Sequence, residues 1–81
     1  MAKLRLFASI REAAGTGATT VDGDTVGAAL DAAIAKFGGP ESRFATVLGE
    51  CNVWCNGVPA ELGDAVSEAD EIALLPPVSG G

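Results

Sequence analysis

Apolar and polar side chains alternate along several stretches of the chain, and a period of two residues is typical of a half-buried β-strand. Near the N-terminus Leu4, Leu6 and Ala8 share one face, so we expect a strand over residues 3–10. Similar patterns predict further strands at residues 18–21, 51–55, 58–61 and 71–75. Between the third and fourth of these strands, Asn56-Gly57 favours a tight hairpin turn, because both residues tolerate positive φ.

The middle of the chain has a helical period instead. One apolar stripe at helical spacing is formed by Val26, Leu30, Ala33, Ile34 and Phe37. Either Asp24 or Thr25 can cap this helix, since both side chains accept hydrogen bonds from free backbone N–H groups. The helix is expected to end at Gly38-Gly39-Pro40, where glycine permits a left-handed cap and proline prevents continuation.

The remaining segments are shorter. We expect one helical turn at residues 11–14 and another within residues 62–69, whereas residues 41–50 fit either a short helix or a packed loop. This order of elements predicts an α+β fold, in which a mixed five-stranded sheet carries one main helix on one face. If the first and last strands are parallel neighbours, the connection between them must be a right-handed crossover.

Length and charge limit the possible functions. The 81 residues are enough for a single domain, 1–81, which includes a C-terminal tail at residues 76–81. The net charge is −6 and basic residues do not cluster, so nucleic acid is not an expected partner. No secretory signal and no apolar run long enough to span a bilayer is found, so we expect a cytoplasmic protein without a membrane partner.

Two cysteines lie close together in the sequence. If Cys51 and Cys55 share an extended strand, their Cα atoms are about 13 Å apart, which is too far for a disulfide. A zinc site usually has four ligands, and this chain has no histidine and two thiols, so no metal site is expected. We interpret both thiols as small apolar groups that face the core together with Val53.

The C-terminal segment is the most distinctive part of the chain. Pro76-Pro77 ends any strand and extends the backbone, and Val78-Ser79-Gly80-Gly81 follows. Two glycines without a Cβ can enter a channel too narrow for other residues. The α-carboxylate of Gly81 is an anion near neutral pH and can attack an activated phosphate. The alternative is that these residues are a frayed terminus without function.

These residues carry a resemblance to a known family. The ending Leu74-Leu75-Pro76-Pro77-Val78-Ser79-Gly80-Gly81 resembles that of the ubiquitin-like β-grasp sulfur carriers of the MoaD and ThiS type, and in particular the small subunit of molybdopterin synthase. The opening residues 4–8, Arg11-Glu12, Thr25-Val26 and Asn56-Gly57 are also similar. The chain differs at Ala69, where relatives usually have a glycine, and in the cysteines of its third strand.

The resemblance implies a carrier cycle. A MoeB-like activating enzyme would consume ATP to adenylate Gly81, and a sulfurtransferase would supply the sulfur of a thiocarboxylate. A MoaE-like large subunit would then accept the tail and transfer sulfur to cyclic pyranopterin monophosphate. The reacting residues would be Gly81 and its neighbour Gly80. The carrier itself would be no enzyme, because the catalytic residues are expected in the large subunit. It would bind no cofactor, and the ATP would be consumed by the activating enzyme.

We also predict a partner-binding surface on the sheet face opposite the helix. Three of its residues lie on that face: Phe7, Trp54 and Leu75. The tail residues Pro76, Pro77, Val78 and Ser79 are also expected to contact the partner, and Arg11 is expected to steady the tail or to bind a carboxylate of the partner. Exposed aromatic and aliphatic groups are frequent at interfaces. The alternatives are scattered surface residues, a Trp54 turned into the core and a solvated Arg11.

Three other functions stay open. The tail of a protein modifier would form isopeptide bonds with lysines of other proteins. A different sulfur carrier would serve a thiamine thiazole or cysteine precursor, and a plain binding module would have an inert tail. Pro76-Pro77 favours the molybdopterin branch.

Overall fold

Five strands form one mixed sheet in the computed structural model, which describes residues 1–77. In chain order they are β1 (Ala2–Leu6), β2 (Ala18–Val21), β3 (Asn52–Cys55), β4 (Val58–Pro59) and β5 (Glu71–Leu75). Their order across the sheet is β2-β1-β5-β3-β4. The predicted tail residues Val78, Ser79, Gly80 and Gly81 lie outside the described residues.

The first and last strands are parallel neighbours, as the crossover hypothesis required. Leu4 pairs with Ile72 and Leu6 with Leu74, and all four side chains are buried on one face of the sheet. On its other side β5 pairs antiparallel with β3. The strand that leads to the tail therefore lies at the centre of the sheet.

Three helices cover one face of this sheet: α1 (Ala8–Ala14), α2 (Val26–Lys36) and α3 (Arg43–Leu48). Thr25 is the N-cap of α2, and its side chain accepts a 3.1 Å hydrogen bond from the backbone N–H of Ala28. Ser42 caps α3 in the same way, so the segment at residues 41–50 contains a short helix rather than a loop.

The helices and the sheet enclose one apolar core. Its largest fully buried side chains are Phe44, Leu4, Leu6, Ile10, Ile72, Leu74 and Val26. The ring of Phe37 packs against that of Phe44 with centroids 4.8 Å apart. The predicted α+β fold, a mixed sheet with its main helix on one face, is confirmed.

The predicted first strand was too long. β1 ends at Leu6, and Ala8 adopts a positive φ of 51° that turns the chain into α1. Ile10 is buried and Ala14 packs against the core, so residues at helical spacing face inward. Burial of this face stabilises a helix of seven residues that would be too short to form alone.

The connection at residues 62–69 also differs from the prediction. It contains two hydrogen-bonded turns in place of a helical turn. In the first turn the N–H of Asp64 donates to the carbonyl oxygen of Glu61, and in the second the N–H of Asp70 donates to the carbonyl oxygen of Ser67. The carboxylates of both aspartates also accept backbone N–H bonds within these turns. Competition from these side chains favours turns over a helix. No helix within residues 1–77 is long and apolar enough to cross a membrane.

Candidate functional site

The central strand β5 determines where the tail leaves the sheet. Leu75 is its last residue, Pro76 is half-buried and Pro77 is exposed. Proline has no backbone N–H and cannot continue the hydrogen-bonded ladder between two strands. The chain therefore leaves the pairing of β1 and β3 at this point, and the predicted reacting residues Gly80 and Gly81 follow outside the described part of the chain.

Phe7 lies beside the last residue of β5. The parallel register pairs Leu6 with Leu74, so Phe7 and Leu75 come next along the two strands, on the face opposite the helices. Phe7 is 39% exposed and Leu75 is half-buried. Because Ala8 turns away into α1, the ring of Phe7 is left at the edge of the tail exit.

Trp54 lies on the same open face. It pairs with Ala73 on β5 and with Pro59 on β4, whereas its neighbours Val53 and Cys55 pack against the core. The indole is therefore not a core residue, which removes one alternative for it. We call Phe7, Trp54 and Leu75, together with the tail exit Pro76-Pro77, the apolar patch. Its predicted role in partner binding stays a prediction.

Arg11 occupies a different place from the apolar patch. It lies in α1, one helical turn after Phe7, and its side chain runs over the loop before β2. A Cβ built on Gly17 would meet Nε of Arg11 at 3.3 Å. The structure thus places Arg11 against that loop, and its role in steadying the tail also stays a prediction.

The structure shows a groove on the open face that was not predicted. It has a volume of about 490 Å³ and is lined by Lys3, Leu4, Arg5, Ala18, Thr19, Thr20 and Glu71. The guanidinium of Arg5 lies 3.7 Å from the carboxylate of Glu71, while Lys3 is exposed on the same strand. Alternation along β1 placed Lys3 and Arg5 on one face, but the groove also requires the pairing of β1 with β2, which has no local signal.

The two thiols are poor nucleophiles. Burial, with a smaller contribution from the negative charge of Glu50, raises the pKa of Cys51 from 9.0 to about 11. Its Sγ also donates to the carbonyl oxygen of Val47 at 3.3 Å. Burial likewise raises the pKa of Cys55, helped by the nearby charges of Asp70 and Asp64. Both thiols pack against the core, as predicted, and stay protonated near neutral pH.

A polar cluster fixes the hairpin relative to β5. Nδ2 of Asn56 donates to Oδ1 of Asp70 at 2.8 Å, and Oδ1 of Asn56 accepts from the N–H of Glu71 at 3.0 Å. The hydrogen bond from Asn56, followed by that from the N–H of Ser67, lowers the pKa of Asp70. Ala69 fits the preceding turn without positive φ, so the glycine usual in relatives is not required here.

The fold defines the class of protein. A helix-covered mixed sheet with parallel first and last strands is a ubiquitin-like β-grasp domain. The model of the ThiS family matches residues 4–81, which is nearly the whole chain. The chain therefore belongs to the ThiS family, which groups sulfur carriers with ubiquitin-like modifiers.

Individual relatives are similar over their full lengths. The small archaeal modifier protein 1 of Haloferax volcanii is 49% identical over 84 positions, covering 95% of this chain and 97% of the relative. The solution structure of small archaeal modifier protein 1 from Methanosarcina acetivorans is 31% identical with a TM-score of 0.84, covering 99% and 95% of the two chains. A complex of subunits 1 and 2 of molybdopterin-converting factor from Helicobacter pylori matches at 25% identity and a TM-score of 0.68, covering 99% and 97%.

These relatives confirm the resemblance at the level of the family. Two of them are named as modifiers, and the third belongs to a molybdopterin-converting factor. The relatives therefore share the carrier fold but bear names from two different processes.

Proposed function

We propose that this chain is a carrier whose C-terminal Gly81 is activated by a partner enzyme and then holds sulfur as a thiocarboxylate. The observation that best supports this is the position of β5 at the centre of the sheet, where Pro76-Pro77 ends its pairing with the neighbouring strands. The family match includes Gly81, so the proposed reacting residue lies within the matched region.

The chemistry requires partners. A carboxylate oxygen of Gly81 attacks the α-phosphate of ATP on a MoeB-like enzyme, pyrophosphate leaves, and an acyl adenylate forms. The terminal sulfur of a sulfurtransferase persulfide then attacks the acyl carbon and displaces AMP. A second thiol of the partner enzymes cleaves the S–S bond of the resulting acyl disulfide, which leaves the thiocarboxylate on Gly81 and a disulfide on the partner. The two thiols of this chain have raised pKa values and lie on the core side of the sheet, so they are unsuited to supply that sulfur.

The proposed acceptor is cyclic pyranopterin monophosphate, held by a MoaE-like large subunit. This step is supported by the molybdopterin-converting factor complex, whose matching chain shares the fold of this one. In the proposed assembly the apolar patch contacts the large subunit while the tail enters its active site. The large subunit provides the catalytic groups, and the carrier contributes the sulfur nucleophile.

Intact-mass measurement tests this function directly. The full-length chain is incubated with a MoeB-like enzyme, ATP and a sulfurtransferase with its sulfur source. We expect the mass to rise by the difference between one sulfur and one oxygen atom, and fragmentation to place the change at Gly81. A chain without Gly81 serves as the control and should stay unchanged. An unmodified Gly81 in the full-length chain would contradict the proposal.

Protein modification is a second candidate, favoured by the 49% identity to a protein named as a modifier. The same acyl adenylate would then be attacked by a lysine amine of a target protein. An epitope-tagged chain expressed in its own cells would give a ladder of heavier conjugates that disappears when Gly81 is deleted. A tagged chain found with the thiocarboxylate but without conjugates would favour the sulfur carrier alone.

A further inference from the structure

We propose that Lys3 is the acceptor site at which a second copy of this chain attaches through its Gly81. This inference rests on the second candidate function, in which activated Gly81 forms amide bonds. It is argued from the different numbers of contacts that the amines of the chain make. Besides the terminal amine of Met1, the side-chain amines are those of Lys3 and Lys36.

Lys36 is held by other groups. Its Nζ donates to Oγ1 of Thr19 at 2.6 Å and to the carbonyl oxygen of Thr20 at 3.3 Å. It also lies 5.9 Å from the centre of the Phe37 ring, where a cation is attracted to the aromatic face. All three contacts hold this amine in place, whereas an attack on an acyl carbon requires an amine whose lone pair is free to approach it. Conjugation at Lys36 therefore requires these contacts to break.

The terminal amine is also near a charge. The nitrogen of Met1 lies 3.9 Å from a carboxylate oxygen of Glu68. This ion pair is exposed and therefore weak, so Met1 is a less protected competitor than Lys36. Locating the amide bond in the adduct therefore distinguishes attachment at Met1 from attachment at a lysine.

Lys3 has fewer constraints. Its side chain is exposed on the open face and, within residues 1–77, makes no hydrogen bond or ion pair. Its register partner Glu71 is the one carboxylate in the groove, and that carboxylate lies 3.7 Å from the guanidinium of Arg5. Arg5 thus competes for the charge that would otherwise hold Lys3.

The groove also has room for an incoming tail. Lys3 lines it together with the short side chains of Ala18 and Thr20, and its volume of about 490 Å³ is open to solvent. The last residues of a second copy, Ser79-Gly80-Gly81, have little side-chain volume. A slender backbone can therefore reach Nζ of Lys3 without moving the sheet.

The reaction is balanced with the co-reactant of the proposed function. Nζ of neutral Lys3 attacks the acyl carbon of the Gly81 adenylate of another copy and forms an amide bond. The bond from that carbon to the phosphate oxygen breaks, AMP leaves with the electron pair, and the nitrogen releases one proton to solvent. ATP supplies the adenylate, and no oxidant or reductant is needed.

Three full-length proteins test the site: the unaltered chain, Lys3→Arg and Lys36→Arg. Arginine keeps the positive charge and removes the amine as a nucleophile. Each protein is incubated with ATP and the activating enzyme, and release of pyrophosphate measures activation separately from conjugation. The product is a species with the mass of two chains less one water, whose amide bond is located by fragmentation.

We expect the amide bond at Lys3 in the unaltered chain and in Lys36→Arg. Per activated molecule, Lys3→Arg should give about tenfold less adduct at lysine side chains. The remaining lysine, Lys36, must first break a hydrogen bond of its charged amine before it can attack. A bond mapped to Lys36 or Met1, equal yields from all three proteins, or activation without any adduct would overturn the proposal. Absence of pyrophosphate release would instead overturn the proposed function, and this inference with it.

Discussion

Lys36 at the end of α2 donates a 2.6 Å hydrogen bond to the side chain of Thr19 in the edge strand β2. The same ammonium group reaches the carbonyl oxygen of Thr20 at 3.3 Å, and Oγ1 of Thr16 donates to the carbonyl of Ala18 at 3.0 Å. An edge strand with free carbonyls invites pairing with another chain. Side chains therefore occupy the acceptors of β2 that a second strand would use.

Replacing Lys36 by methionine should uncover this edge. We expect Lys36→Met to self-associate at concentrations where the unaltered chain is monomeric, as measured by analytical ultracentrifugation. Lys3→Met is the matched control. It removes the same charge, but the side chain of Lys3 makes no hydrogen bond to the backbone within residues 1–77. Equal association of the two variants would show that charge, and not edge protection, is responsible.

The position of Gly23 leaves no space for a side chain. A Cβ at this residue would lie 2.5 Å from the backbone nitrogen of Ala29 in α2, and its φ is +156°. Since the obstructing atom belongs to a helix backbone, Gly23→Ala should lower the free energy of unfolding by about 2 kcal/mol. Urea denaturation measures this loss. In Gly63→Ala the new Cβ meets nothing within 4 Å, so an equal loss there would refute the steric explanation.

The periodic parts of this fold were predictable from the sequence. The apolar stripe from Val26 to Phe37 identified α2, and alternation from Glu71 to Leu75 identified β5. Both patterns report burial of one face, which a sequence records directly. The apolar patch followed from the same alternation, because Phe7 and Leu75 fall on the polar side of their strands.

The end of β1 was not predictable in this way. Ala8 and Ile10 continue the alternation of β1, yet Ile10 and Ala14 also fit a helix that faces the core. The choice depends on Ala8 adopting a φ of 51°, and alanine gives no local signal of it. The groove was missed for a related reason, since it needs β2 to pair with β1 in a particular register.

The thiol of Cys51 should react slowly. A pKa of about 11 in place of 9.0 leaves about 100-fold less thiolate at pH 8 than an ordinary cysteine has. Alkylation by iodoacetamide in a Cys55→Ser background isolates this thiol, and its rate should rise steadily between pH 7.5 and about pH 9.5. The same protein in urea provides the reference rate. Equal rates in the folded and unfolded protein would contradict the effect of burial.

Asp70 should make stability depend on acidity. The hydrogen bonds from Asn56 and Ser67 lower the pKa of Asp70 in the folded protein. The charged carboxylate therefore adds to the free energy of unfolding above the ordinary pKa near 3.8, and this stabilisation is lost as the pH falls through the pKa of the folded protein. Asp70→Asn should therefore reduce the melting temperature at pH 6, with a difference that narrows below about pH 4. A difference that stays constant down to pH 2 would show that the charge of Asp70 is not involved.

The apolar patch should contribute to binding of the large subunit. Phe7 is the N-cap of α1 and makes no side-chain cap, while aspartate is a favoured cap, so Phe7→Asp should fold normally. A charge placed in an apolar contact should nevertheless weaken binding to a MoaE-like subunit by about tenfold or more, measured by calorimetry. Leu75→Asp should weaken this binding as well.

Leu62→Asp is the control for both variants. Leu62 is 64% exposed near the start of α2, away from the apolar patch, so its replacement should leave the affinity unchanged. Unaltered affinity in Phe7→Asp and Leu75→Asp would exclude the apolar patch as the docking surface.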